Sequence, residues 1–328
     1  MDRNYRTVLY LIVIFLWLWL LFLQYSTAVP AEKRKLRIYT GNVEVAVPLF
    51  EAFEKAYPDI QIVYDSRAKG NEMRNIIRFE LTHQKQTFDI LFHNLNTDLR
   101  NLITEFKGNG LIPFQPKNAA GHALDDPKKY WTAIFSTRYV LGYNTKLIKE
   151  PPPNFDDLIM GKYEFMLDPQ DFGWFEGLTQ CLGEDEAKYF LQKLASQKPL
   201  MRKGHTLKAM LVIAGEAPTA TMLDTTVLGF QKKGAPLAWN PDLQPLIART
   251  AVMALAKGPN EKDAKQFIEF TLSTWGQAVI EATGAMPVRL SEQKKKQWQN
   301  TCFLKPMDVS AEKWKALYDT YRRIFSIK

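Results

Sequence analysis

Hydrophobic and polar positions alternate first at 36–39, "LRIY", which reads as a strand closed by the turn residues Thr40-Gly41-Asn42. From Val45 to Tyr57 the spacing changes to that of a helix, with Val45, Leu49, Phe53 and Ala56 on one face and Pro58-Asp59 as a stop. "IQIVYDS" predicts a second strand, Met73 to Gln84 a helix and "FDILFHN" a third strand. "TDLRNLITEFKGNG" is a helix ended by Gly108 and Gly110. Strand and helix in regular alternation predict an α/β half with a largely parallel sheet.

The pattern then shifts. Residues 130–144, "YWTAIFSTRYVLGYN", form one long extended run, and "EPPPNFDDL" leads stiffly into a new segment. "YEFMLDP" is a strand, Gly177 to Leu182 looks helical, and helices follow at Glu184–Ala195 and Leu207–Ala214. "PTATML" and "GAPLAW" are extended, "ARTAVMALAK" is another apolar strand, and "EKDAKQFIEFTLS" is a helix. "TWGQAVIEATG" continues it with Gly276 as a break, and Ala311 to Phe325 is a last helix. The expected fold class is α/β with two lobes, each a mixed, mostly parallel sheet flanked by helices. Two hinge strands near 132–143 and 234–240 would join them. Lobe 1 would comprise 36–138 plus 239–328, and lobe 2 would be 139–238. Loops at the carboxyl ends of parallel strands would face a cleft between the lobes, the usual position for a ligand.

The N-terminus adds a destination. Arg3 and Arg6 precede Val8–Leu23, sixteen residues without a charge, and Ser26-Thr27-Ala28 follow. A basic start, an apolar run and a small-residue exit describe a secretory signal peptide over 1–28, with an uncleaved membrane anchor as the other reading. Either one places the remainder outside the cytoplasm. Cys181 and Cys302 are the only cysteines; in an oxidising compartment they could pair, and two buried thiols are the equal alternative. The net charge of +8 over 328 residues is spread thinly, in clusters such as Glu32-Lys33-Arg34-Lys35 and Lys294-Lys295-Lys296. No nucleic-acid fold motif accompanies it, so no nucleic-acid partner is expected.

Candidate site residues follow from where strands end. Thr40, Gly41 and Asn42 open the first helix, where backbone N–H groups can meet an anion or Asn42 can simply cap a turn. Arg67, in the loop Ser66-Arg67-Lys69-Gly70, could clamp a carboxylate or phosphate or stand in solvent. Asn94 ends the third strand beside His93. Trp131 enters the first crossing, which carries Arg138 and Tyr139; either face of it lines the cleft or packs beneath the hinge. His205 or Thr206 could cap the helix at 207, with Arg202 nearby. Asp224 follows "TAT" as a ligand acceptor or a local cap. The stretch "DPQDFGWFEGLTQCLG" places Phe172-Gly173-Trp174 at a helix start, and at least one of the two rings is expected to cover the solute. Isolated histidines argue against a metal site, and no cofactor is expected. Neither a Gly-x-Ser-x-Gly elbow nor a phosphate loop occurs, so no enzyme is expected.

"IYTGNVEVAVPLFEAFEKAYPDIQIVY", "FDILFHN", "VLGYNTKLI", "VIAGEAPTATML", "KKGAPLAW" and "AKQFIEFTLSTWGQAVIEATGAMPVR" together, from Leu36 to Arg289, resemble the type II periplasmic solute-binding proteins of ABC importers. They are most similar to the branch that holds ferric-iron, thiamine, polyamine, phosphonate and sugar-phosphate receptors. In the iron subset adjacent tyrosines follow the Gly-Glu motif; here "TATMLDTTVLGF" follows Gly215-Glu216 without a tyrosine, which disfavours iron. The resemblance implies a monomeric periplasmic receptor that delivers a small polar solute to an inner-membrane ABC permease. Arg67, Arg138 and Arg202 tilt the expectation towards an anion, while Asp65, Asp171 and Asp224 leave a cation open. The alternative is a ligand-sensing partner of a membrane kinase or chemoreceptor.

Overall fold

In the computed structural model the described residues are 12–17, 32–66, 71–119, 121–152, 155–289 and 296–327. The chain divides into two compact units, Met1–Arg34 and Lys35–Lys328. In the first, residues 12–17 are helical and their side chains exposed. The rest of the 1–28 segment lies outside the described residues, and among the described residues no helix is long and apolar enough to cross a membrane.

The second unit opens with the expected alternation. Strands β1 (Arg34–Thr40), β2 (Ile60–Asp65) and β3 (Ile90–Asn94) are interleaved with helices α1 (Val43–Ala56), α2 (Asn71–Thr82) and α3 (Thr97–Glu105), and β4 (Leu111–Ile112) follows. The long strand β5 (Thr132–Asn144) leads through α4 (Asp156–Ile159) to β6 (Phe165–Leu167), α5 (Phe172–Leu182) and α6 (Glu184–Ser196). Next come β7 (Leu200–Met201), α7 (His205–Ala214), β8 (Thr219–Leu223), α8 (Asp224–Gln231) and β9 (Leu237–Trp239). The chain returns along β10 (Leu246–Ala256) to α9 (Glu261–Leu272), α10 (Thr274–Ala282) and β11 (Met286–Pro287). It ends with β12 (Thr301–Phe303) and α11 (Ala311–Ile324).

One sheet runs β2-β1-β3-β10-β5-β8-β6-β7. β1 and β3 are parallel, as are β6 with β8 and β6 with β7. The junctions of β10 with β3, β10 with β5 and β5 with β8 are antiparallel. Thus β5 and β10 are the two strands shared by both halves. Strand β5 agrees with the expected first crossing. The second crossing is β10, not 234–240: β9 is three residues long and pairs with Gly142–Asn144 inside the second half. An eleven-residue strand can span both halves at ~3.3 Å per residue where a three-residue strand cannot.

Each half covers its sheet on both faces. In the first, α1, α9 and α10 pack on Leu36, Ile38 and Ile90. The other face takes Met73, Ile77 and Leu81 of α2 with Leu99 and Leu102 of α3. In the second half, Phe175, Leu178, Leu191 and Leu194 of α5 and α6 lie on Leu141, Phe165 and Leu167. Ala209 and Val212 of α7 and Val227 of α8 lie opposite, on Met166 and Met222. The C-terminal tail, expected in lobe 1, joins the second half instead: Leu317, Tyr321 and Phe325 are buried with Phe172 and Phe175. An apolar stripe at helical spacing names no partner, and here the vacant face was that of α5 and α6.

Two further corrections are local. The break between α9 and α10 is Ser273, whose hydroxyl accepts the Gly276 N–H at 3.1 Å. Gly276 itself permits close packing, since a Cβ there would stand 2.2 Å from the Phe270 carbonyl oxygen. The segment 224–231, where the sequence predicts no element beyond Asp224 as acceptor or local cap, is helix α8.

Cys181 and Cys302 form a disulfide joining the end of α5 to β12. Beside it Gln180 exchanges two hydrogen bonds with the Lys305 backbone, at 2.6 and 3.0 Å. Close by, Glu176 is 1% exposed and accepts the Thr97 N–H at 3.2 Å and the Thr97 hydroxyl, so α5 of the second half grips the first turn of α3.

Two stability measurements follow. Replacing both cysteines, C181S/C302S, removes a cross-link spanning 121 residues and is expected to cost about 2–4 kcal/mol, read from urea unfolding midpoints; an unchanged midpoint counts against the bridge. Burial pushes the Glu176 carboxyl up to about 7, against its Thr97 bonds and Arg74 and Arg100. The folded state therefore holds a proton that the unfolded chain releases above about 4.5. This contribution to stability is full near pH 4.5 and lost as pH rises through 7. E176Q should remove it, so the wild-type midpoint should rise relative to the variant's on acidification from pH 7.5 to 5; parallel curves refute the assignment.

Candidate functional site

Strands β1, β3, β6 and β8 end around one cavity of about 220 Å³ within the second unit. Five helix starts reach it: Gly41 to Val45 at α1, Leu95 and Asn96 at α3, Asp171 to Gly173 at α5, Lys203 to Thr206 at α7, and Leu223 with Thr225 at α8. Each brings backbone N–H groups without intrahelical partners and a partial positive charge. At α3 the Asn96 side chain takes one of these donors, from Leu99 at 2.8 Å. At α1, α5 and α7 no side chain caps the helix, whereas at α8 the Asp224 carboxylate accepts the Thr225 N–H at 2.8 Å.

Local sequence explains the close approach. Gly41 brings α1 against β3, a Cβ there lying 3.4 Å from His93 Nε2. Gly173 lets α5 start beside Tyr139, whose hydroxyl is 3.0 Å from the position of its missing Cβ. Gly204 has φ 95°, a left-handed conformation suited to glycine, and its N–H reaches Asp168 Oδ2 at 2.6 Å. The crossing strands supply Thr137, Tyr139 and Arg249; Thr137 and Arg249 are register partners, and Arg249 Nε donates to the Thr137 hydroxyl at 3.4 Å. The Arg249 guanidinium lies 5.4 Å from the Tyr139 ring centre.

Charge in the cavity is asymmetric. The Glu44 carboxylate accepts the hydroxyls of Thr206 (2.7 Å) and Thr226 (2.9 Å), bridging α1 to α7 and α8. Asp168 accepts the backbone N–H groups of Gln170 (2.9 Å) and Gly204. Burial, reinforced by Asp168, pushes Asp171 up to about 6, with Lys208 and Arg249 opposing; His205 Nε2 stands 3.6 Å from it. Lys208 is fully buried, donates to Thr221 at 3.0 Å and is held below the usual lysine range by desolvation. Burial, with Arg74 and Arg249, lowers His93 to about 4, so it is neutral at physiological pH. Arg74 pairs with Asp98, whereas Arg249 forms no ion pair among the described residues. Asn42, 7% exposed, has a side-chain N–H₂ without a partner.

The residues singled out from sequence separate into three groups. Gly41, Asn42, Asn94, Phe172, Gly173 and His205 line the cavity. Thr40, Trp131, Trp174 and Asp224 do not. Thr40 is fully buried and accepts the Asn42 N–H at 3.1 Å, and Trp131 donates its indole N–H to the Leu124 carbonyl at 2.8 Å. Trp174 packs on Phe155 and Phe190 in the core, because the second ring of a helix start points away from the first. Asp224 pairs with Arg138 at 3.1 Å, and that guanidinium lies 4.8 Å from the Trp239 ring centre and 4.0 Å from that of Trp298. Arg67 lies outside the described residues. Arg202 pairs with Glu216 at 2.5 Å, away from the cavity. Arg74, Arg249, Trp314 and Tyr318, which line the cavity, were missed. The legible clue to Arg249 is a lone charge inside an eleven-residue apolar strand. Among the described residues no group of three or more His, Cys, Asp or Glu is placed to hold a metal ion.

Solved structures share this fold. Iron-bound HitA from Pseudomonas aeruginosa superposes with TM-score 0.68 at 17% identity, over 89% of this chain and 99% of that one. A substrate-binding protein of an ABC transporter from Agrobacterium tumefaciens gives 0.76 at 14% identity, over 91% and 96%. The periplasmic binding protein AfuA from Actinobacillus pleuropneumoniae, with fructose 6-phosphate bound, gives 0.68 at 18%, over 90% and 100%. At these identities the likeness establishes the fold: a two-lobe periplasmic binding protein, α/β in each lobe. Comparison with curated proteins gave no match. The family model of bacterial extracellular solute-binding proteins matches residues 86–303, more than half of the sequence, and the chain belongs to that family.

Proposed function

We propose that this receptor works in the periplasm, closes its two lobes on a small anion and delivers it to an inner-membrane ABC permease. The observation that carries the anionic reading is the meeting of five helix N-termini with Arg249. The acids are partly occupied: Glu44 and Asp168 accept hydrogen bonds from protein donors, and Asp171, raised to about 6 by burial, keeps its charge at pH 7 and sheds it on mild acidification. An anion would take up the N–H groups that α1, α5 and α7 leave uncapped and the Asn42 amide. The cavity of about 220 Å³ falls below the ~300–1,000 Å³ of drug-sized pockets, which suits a small metabolite. AfuA, with fructose 6-phosphate bound, is a relative in fold whose ligand is an anion. The two crossing strands are the elements about which such lobes could turn, and the Glu44 bridge is a contact that opening would break.

R249Q keeps a polar side chain but removes the charge, and is expected to weaken anion binding by roughly 10–100-fold, as for loss of charge-assisted hydrogen bonds. Calorimetry with inorganic phosphate and with sulfate reads this directly; equal affinities in the two proteins defeat the assignment. The pH dependence supplies a second check. Sulfate keeps its charge between pH 7 and 5, while Asp171, at about 6, loses its own. Sulfate should therefore bind more tightly on acidification, by roughly three- to tenfold. Weaker binding at pH 5, or thermal stabilisation by thiamine or spermidine but not by anions, favours a cationic solute instead.

A further inference from the structure

The C-terminal helix is the least expected part of the cavity wall. Trp314 and Tyr318, one turn apart on α11, stack with ring centres 5.6 Å apart and planes 7° from parallel. Phe172, from the start of α5, meets both edge-on, at 5.2 and 5.0 Å. All three line the cavity together with Gly173 and Arg74. The Trp314 indole N–H is buried and has no acceptor. An unmet buried donor is costly, and native structures leave few of them. The cavity that Trp314 lines is where an acceptor can be supplied. The helix is not a loose end: the disulfide, the Gln180–Lys305 pair and the 3.0 Å bond from the Tyr321 hydroxyl to the Asp168 carbonyl fix it to the second lobe.

We propose that α11 is a specificity element: Trp314 donates its indole N–H to the solute, and the Trp314–Tyr318 pair covers an apolar face of it. This rests on the anionic reading above and narrows it. A bare oxyanion satisfied by helix N-termini would leave the aromatic wall and its donor unused. An organic anion, with a hydroxyl or carbonyl oxygen beside a carbon skeleton, uses both ends of the cavity.

The test compares wild type, W314F and W314A by calorimetry with inorganic phosphate, glucose 6-phosphate and gluconate, and follows tryptophan fluorescence. W314F keeps a ring and loses only the donor. Among the described tryptophans Trp314 alone lines the cavity, so it is the expected reporter. An organic anion should bind wild type more tightly than phosphate does and should change the emission. W314F should lose roughly 3–10-fold for it and W314A roughly 10–100-fold, in each case more than the same variant loses for phosphate. The emission change should vanish in W314F. Wild-type affinity for the organic anion in W314F, with the emission change retained, overturns the proposal. If phosphate binds wild type at least as well as both organic anions and none alters the emission, the anionic reading stands and the Trp314 contact falls. If none of the three binds, the anionic reading fails and takes this inference with it.

Discussion

The antiparallel pairing of β5 with β10 is the constraint on which everything else hangs. Seven register pairs, from Ile247 with Tyr139 to Met253 with Thr132, join the two strands. Every other strand attaches to this pair directly or through a neighbour: β3 to β10 on one side, β8 to β5 on the other. Both strands are long because each must serve both halves of the sheet, and both are buried nearly throughout. A register slip between Ala251 and Val252 interrupts the ladder. Such irregularities increase local twist and bend a strand. Near the middle of the pair the residues become polar: Ser136 and Thr250 share a hydrogen bond at 2.8 Å, and Thr137 faces Arg249. The apolar length holds the lobes together, and the polar centre forms the wall of the site.

That geometry also accounts for the electrostatics. Parallel strands on either side of the crossing run towards it with their carboxyl ends, so the helices that follow begin there. Positive potential is thus a consequence of topology before any basic side chain is added. The side chains then decide whether that potential survives. Glu44 and Asp168 accept threonine hydroxyls and backbone N–H groups, and desolvation raises Asp171 to about 6, where mild acidification removes its charge. Lys208 supports the same outcome from behind, buried against Thr221. Arg249 remains as the cation on the crossing strand itself.

Periodicity reveals elements but not the directions of their side chains, and the gap between the two explains what the sequence could and could not tell. Strands β1 and β3 and helix α1 were legible because burial on one face leaves a repeat. Helix α8 was not: "DTTVLGFQ" mixes threonines and a glycine with few apolar residues, and it is held by Val227 and by its place beneath β8. Of Phe172 and Trp174, two residues apart on one helix, only one can face a given cavity. Arg138 and Arg249 are the instructive pair. Both sit on crossing strands, yet Arg138 is consumed by Asp224 and two tryptophans, whereas Arg249 has a threonine and a tyrosine ring. No local pattern distinguishes them, because the partners lie 86 and 112 residues away.

The tail shows how one segment can answer to both lobes. Its covalent and packing ties are to α5: the disulfide, Gln180 and the aromatic cluster around Tyr321. Its ties to the first lobe are polar and fall on α3. Met307 donates to the Thr97 hydroxyl at 2.6 Å, and Arg100 reaches the Met307 carbonyl at 2.7 Å and Asp308 at 3.2 Å. Thr97 also donates to buried Glu176, so this one threonine gathers α3, α5 and the tail. The two sets differ in kind. The first combines a disulfide, an aromatic cluster and hydrogen bonds from Gln180 and Tyr321, all within the second lobe, and a rigid-body movement of that lobe would preserve it. The second consists of hydrogen bonds, each worth about 1 kcal/mol net, that separate together when the lobes part. In the proposed closure the tail would therefore travel with one lobe and part from the other, which would keep its aromatic wall in place on α5 while the opposite side of the cavity opens.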